Sequence, residues 1–121
     1  MSAILIICDE NELALALKHV LRGDGHGTNI ETVSSFCEAE TLIHRISFDL
    51  VVVDGDMKPR CRTMQRASER IKRLRPRAKI LFMTADSDST REASVSADAI
   101  IVKPFTSCDI IREAHHALAA N

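Results

Sequence analysis

Leu50-Val51-Val52-Val53-Asp54 decides how this chain is read. Four aliphatic residues in a row, three of them β-branched valines, favour extended backbone. Apolar side chains on consecutive positions occupy both faces of a sheet, so neither face is left to water. That pattern belongs to a parallel sheet with helices laid over each side. The run ends on a carboxylate, a group that buried strands carry at their tips rather than inside. The same shape recurs outward from it. Ile4-Leu5-Ile6-Ile7-Cys8 runs into Asp9 and Glu10, Ile80-Leu81-Phe82-Met83 into Thr84, and Ile100-Ile101-Val102 into Lys103. Residues 30–33 form a weaker strand of the same kind.

Helical spacing fills the gaps. Leu13, Leu17, Val20 and Leu21 recur along one helix face and stop near Gly23 and Gly25. Ser35 is placed to cap a second helix carrying Cys37, Leu42, Ile43 and Ile46. Met64, Ala67, Ile71 and Leu74 mark a third, halted before Pro76. Ser107 or Asp109 starts the last, with Ile110, Ile111, Ala114 and Leu118 on its apolar face. Residues 87–95, short and rich in serine, make a poor helix. A strand–helix unit repeated five times predicts an α/β fold: a doubly wound parallel sheet with helices on both faces, in one domain over residues 1–121.

Composition excludes several classes. Apolar residues make up 45% and charged residues 27%, which suits a folded domain and not a disordered or fibrous chain. The apolar runs are too short to cross a bilayer, and the first one meets acids too soon for a signal peptide. Cys8, Cys37, Cys61 and Cys108 have neither metal-clip nor disulfide-framework spacing, which suggests a reducing, cytoplasmic setting. Phenylalanine is the only aromatic residue, which argues against base stacking on nucleic acid. The net charge of −1 hides a bipolar chain. Residues 58–79 carry ten basic side chains against Glu69 alone, a local +9, leaving −10 for the rest. Such a run reads as a solvated helix face, or as a dock for an acidic protein in preference to nucleic acid.

The polar residues at the strand tips carry the chemistry. In an open parallel sheet, the ligand crevice lies outside the carboxyl ends of the strands. Asp9, Asp54, Thr84 and Lys103 all fall there, bringing two carboxylates, a hydroxyl and an ammonium to one edge. Paired carboxylates suit a hard cation such as Mg²⁺. A carboxylate can act as a nucleophile toward phosphorus, and a hydroxyl with an ammonium can hold the oxygens of a transferring phosphoryl group.

In these four pieces the chain resembles the receiver domains of two-component signalling over essentially its whole length. The acidic cluster after Ile4-Leu5-Ile6-Ile7, the Asp after Leu50-Val51-Val52-Val53, Met83-Thr84-Ala85, and Val102-Lys103-Pro104-Phe105 stand in the family's order and near its spacing. The resemblance implies a flavodoxin-like sheet in strand order 2-1-3-4-5. It implies that Asp54 accepts a phosphoryl group from a sensor histidine kinase or phosphotransfer protein. Asp9, Asp54 and the backbone carbonyl of Asp56 would ligate Mg²⁺, Thr84 and Lys103 would hold the phosphoryl oxygens, and Lys103–Pro104 would be cis. Such a chain is no enzyme beyond its own phosphorylation and dephosphorylation. It is expected to signal by protein contact, either as a stand-alone receiver with no effector domain or as a piece of a larger regulator.

Several positions depart from the family pattern. Gapless alignment puts Cys8 where a first acid is usual and Asp9 at the second. Glu10 is therefore a further candidate metal ligand, since a thiol is a poor partner for a hard cation. Asp9 is also placed to cap the first helix. Pro59 is shifted by one residue, with Lys58 in the usual proline position, and the segment between Thr84 and Lys103 is about one turn short. Ile100 stands where a switch aromatic is usual. Thr84 is expected to move toward the phosphoryl group, and the signal to leave through the basic run. Two other readings use the same residues. One is a degenerate receiver that binds without phosphorylation. The other is an aspartyl phosphatase of the haloacid dehalogenase type, suggested by Asp54-Gly55-Asp56 but lacking a further acidic loop.

Overall fold

The computed structural model describes residues 3–25, 29–57, 62–86 and 97–120, excluding the side chains of 62–67. Its strands are β1 (Ala3–Ile7), β2 (Asn29–Val33), β3 (Leu50–Asp54), β4 (Lys79–Thr84) and β5 (Ala99–Val102). Its helices are α1 (Asn11–Gly23), α2 (Phe36–Arg45), α3 (Arg62–Leu74) and α4 (Ser107–Ala119). All strand pairs are parallel, and the order is β2-β1-β3-β4-β5. The fold expected from the strand rhythm and the resemblance is the one observed. The poor helix expected over 87–95 lies outside the described residues, as do Lys58, Pro59 and Arg60.

Consecutive apolar residues of a strand serve opposite faces, because side chains alternate along it. Ile4, Ile6, Leu50, Val52, Leu81 and Met83 pack under α1 and α4, meeting Leu17, Leu21, Ile110 and Ala114. Leu5, Ile7, Val51, Val53, Ile80 and Phe82 pack on the other face with Ala39, Ile43 and Ile71 of α2 and α3. Each of the four residues Leu50 to Val53 is fully buried. Burying one such side chain contributes about 1.5–3 kcal/mol.

The helix ends refine three expectations. Ser35 does cap α2, its hydroxyl accepting the Glu38 N–H at 3.2 Å. Cys37, however, is exposed, and Ala39 and Ile43 form the buried face. The last helix is capped by Thr106, one residue earlier than expected. Its hydroxyl accepts the Asp109 N–H, while the Asp109 carboxylate accepts the Thr106 N–H, a reciprocal capping box. Asp9 does not cap α1: Glu10 holds the N-cap position, without a side-chain hydrogen bond.

Candidate functional site

Register alone builds one edge of the site. Ile7 lies level with Val53, which places Cys8 beside Asp54 at the adjoining tips of β1 and β3. Asp54 is level with Met83, and Thr84 with Val102, so Thr84 and Lys103 each stand one step beyond a paired residue. The sheet order reverses around β1 and β3, where a crevice opens at the carboxyl edge. A cleft of about 550 Å³ lies there, lined by Glu10, Leu13, Asp56, Ala85, Lys103, Pro104 and Phe105.

Asp54 is 1% exposed, yet each of its oxygens has a partner. Oδ1 accepts the Lys103 ammonium at 2.9 Å and the Asp56 N–H at 3.0 Å. Oδ2 accepts the Cys8 thiol at 3.4 Å. The Asp56 N–H bond curls the chain immediately after β3 and brings the Asp56 side chain back over the strand tips. Its carboxylate receives three donors: the Thr84 hydroxyl at 3.0 Å, the Ala85 N–H at 2.9 Å and Lys103 Nζ at 3.1 Å. Lys103 is thus shared between two carboxylates, and Lys103–Pro104 is cis.

Gly55 makes this curl possible. Its N–H donates to the Met83 carbonyl at 2.7 Å, and a Cβ there would collide with the Phe82 ring and fall 2.9 Å from the Met83 oxygen. The glycine within the Asp-Gly-Asp spacing that suggested a phosphatase motif is therefore required by its close approach to β4.

The charges are mutually held. Burial pushes the Lys103 ammonium down, but the hydrogen bonds it donates to Asp54 and Asp56 outweigh it and hold its pKa above the usual lysine value. Burial likewise pushes Asp56 up, and the bonds from Lys103, Ala85 and Thr84 hold it below the usual carboxylate value. Cys8 goes the other way. Burial, with the Asp54 charge beside it, pushes its thiol up to about 12, so it is a neutral S–H donor.

The residues present fit a hard divalent cation by donor chemistry. Asp54 Oδ2, whose other partner is only a thiol, the Asp56 carbonyl, Glu10 on the cleft wall and the exposed Asp9 next to it are all oxygen donors. Among the described residues no three His, Cys, Asp or Glu side chains are gathered into a ready cage. Mg²⁺ needs none, since it keeps several waters and takes one or two carboxylates.

Asp54, Thr84 and Lys103, singled out from the sequence, converge here, and Glu10 reaches the cleft while Asp9 is exposed beside it. Sequence reasoning used only the carbonyl of Asp56 and missed its side chain and the Ala85 N–H. The available signal was a carboxylate two residues beyond the phosphoacceptor candidate.

Much of the described basic run is tied internally. Arg70 pairs with Glu40, and Lys72 pairs with Asp98 at 2.6 Å and donates to the Ala78 carbonyl. Arg75 donates to the Ile43 and His44 carbonyls at the end of α2. Arg73 and Arg77 are exposed. The side chains of Arg62 and Arg66 lie outside the described residues.

A family model for the response regulator receiver domain matches residues 4–115. Among solved structures, the chemotaxis response regulator CheY4 of Vibrio cholerae is similar at 20% identity and TM-score 0.83, covering 97% of this chain and 98% of that one. A CheY-like receiver domain protein from Methanospirillum hungatei is similar at 22% identity and TM-score 0.85, over 98% and 94%. A beryllofluoride-activated NtrC4 receiver domain, solved as a dimer, is similar at 23% identity and TM-score 0.86, over 98% and 97%. At these identities the likenesses establish the fold. No curated protein matches the chain.

Proposed function

The chain belongs to the response regulator receiver domain family, and from that premise we propose that Asp54 is its phosphoacceptor, loaded by a phosphohistidine on a sensor histidine kinase or phosphotransfer protein. A carboxylate oxygen of Asp54 attacks phosphorus, a P–O bond forms, and the P–N bond breaks with its electron pair returning to the imidazole nitrogen. No proton need be taken from the nucleophile, so the site has no use for a general base. Lys103 and Thr84 serve the phosphoryl oxygens, as an ammonium and a hydroxyl can. Asp54, the Asp56 carbonyl and Asp9 or Glu10 would hold Mg²⁺, which when bound neutralises charge on the transferring group.

One observation carries this reading: a 1%-exposed carboxylate at a strand tip meets a lysine ammonium at 2.9 Å, with a hydroxyl and a free cleft on the same side. A phosphatase would need a further acid positioned for its chemistry. Asp109, one of two acids after Lys103, is spent on the α4 cap and on Arg112. The chain is proposed to act in the cytoplasm, and no described helix is long and apolar enough to cross a membrane. Its downstream target is proposed to be an acidic protein drawn to the basic run, with exposed Arg73 and Arg77 as its anchors.

Incubation with acetyl phosphate and Mg²⁺, followed by intact mass measurement, tests the phosphoacceptor. One phosphoryl group is expected on the parent and none on Asp54→Asn. The same gain on Asp54→Asn would remove the assignment.

A further inference from the structure

We infer that the Asp56 carboxylate is a built-in anion seated in the phosphoryl subsite, which must leave before Asp54 can be loaded; the inference rests on the phosphoacceptor reading above. Proton counting carries it. A threonine hydroxyl has one proton to donate and a backbone amide has one. The Thr84 proton goes to Asp56 Oδ1 at 3.0 Å, with the Asp86 carbonyl a distant second at 3.5 Å. The Ala85 N–H goes to Asp56 Oδ2 at 2.9 Å. The Lys103 ammonium, with three protons, divides itself between Asp54 and Asp56. Two donors that a phosphoryl group on Asp54 needs, the Thr84 hydroxyl and the Ala85 N–H, are therefore already committed to the Asp56 carboxylate, and Lys103 is shared with it.

Geometry and charge say the same. Thr84 is fully buried and its hydroxyl accepts the Asp86 N–H at 3.0 Å, so its orientation is fixed from both sides. The hydroxyl expected to swing toward an incoming phosphoryl group already points at an anion. A phosphoryl group brings about two negative charges and three acceptor oxygens, which cannot share these donors with a carboxylate. Asp56 has somewhere to go, because it lines the open cleft beside Lys103. Its displacement exchanges one anion for another across the same donors. Asp56 thus sets how often the phosphoryl subsite is open, and apparent affinity for any anion falls by the fraction of time it is closed.

The test compares the parent with Asp56→Asn and Asp56→Ala. Phosphoryl uptake from acetyl phosphate with Mg²⁺ is followed by intact mass, at low and high salt. If Asp56 holds the donors nine-tenths of the time, Asp56→Ala loads on the order of tenfold faster than the parent, and Asp56→Asn, whose amide oxygen still accepts, gains less. The ratio persists at high salt, because competition by contact is not screened as long-range repulsion is. A ratio near one, or one that collapses with salt, overturns the inference while leaving the phosphoacceptor reading intact. Uptake absent from the parent and from both variants strikes that reading itself. A second measurement needs no variant. The Asp56 carboxyl carbon should shift in the NMR spectrum when the parent is saturated with beryllofluoride and Mg²⁺, and an unmoved resonance at saturation overturns the inference equally.

Discussion

The Cys8 thiol donates to the carboxylate of Asp54, Sγ lying 3.4 Å from Oδ2 across the adjoining tips of β1 and β3. A proton is therefore fixed on sulfur in the folded state, whereas the unfolded thiol ionises near its ordinary value of 9.0.

The sign of the resulting pH dependence follows. Cys8 has its pKa raised by folding to about 12, so its contribution to stability is intact below pH 9.0 and declines as the pH rises from there toward 12. Urea midpoints measured at pH 7.5 and pH 10 should show the parent losing ground to Cys8→Ala at the higher pH. An advantage that stays constant between the two would mean the thiol is not held protonated.

Gly55→Ala should lower stability by about 1–3 kcal/mol, the range for forcing extra volume into a packed site. The new methyl would press on the Phe82 ring and, at 2.9 Å, on the Met83 carbonyl, which already accepts the Gly55 N–H. Phosphoryl uptake should fall too, because the backbone carbonyl of Asp56, proposed to help hold Mg²⁺, follows directly on this residue. Thermal denaturation would settle the first part, and a melting temperature equal to the parent's would show that the loop yields freely.

How far the sequence disclosed this molecule depends on which interactions are local. Leu50 to Val53 announced a doubly covered sheet because burial on both faces is written in consecutive residues. Asp54, Thr84 and Lys103 were legible because a strand tip is a fixed place. Strand order was not legible from the residues, since many right-handed windings satisfy the same pattern, and it came only with the family resemblance. The Asp56 carboxylate was hidden for another reason. Its direction depends on a turn whose shape is set by a backbone N–H bonding to Asp54 and by the close approach of Gly55 to β4. The charge count of the basic run was equally silent on Arg75, whose guanidinium serves carbonyls more than thirty residues away.

Arg75 offers a stability prediction of its own. The last carbonyls of a helix have no partners within it, and Arg75 Nε donates to the Ile43 carbonyl at 3.0 Å and its terminal nitrogen to His44 at 3.3 Å. Arg75→Ala should cost about 1 kcal/mol, and amide exchange should quicken in α2 before it does in α1. Arg75→Lys should recover only part of the loss, since an ammonium lacks the planar fork. Uniform exchange changes across both helices would show that the contact does not anchor α2.

Cys8→Asp separates the two candidate partners of the metal. A carboxylate at this position would face Asp54 Oδ2 where a thiol now donates. Two carboxylates in contact repel, and without a cation the variant should be less stable by about 1–3 kcal/mol. Mg²⁺ relieves that repulsion, so the variant should gain more stability from added Mg²⁺ than the parent does. Its affinity should rise by about 10- to 100-fold, the span typical for a lost or restored outer partner of a metal site. Calorimetric titration of both proteins reads this directly, since the chain has no tryptophan to report binding. If Glu10 already supplies that carboxylate from the cleft wall, the affinity will not change. Glu10→Gln in the parent should then weaken Mg²⁺ binding by a similar factor, whereas with Asp9 as ligand the loss should follow Asp9→Asn instead.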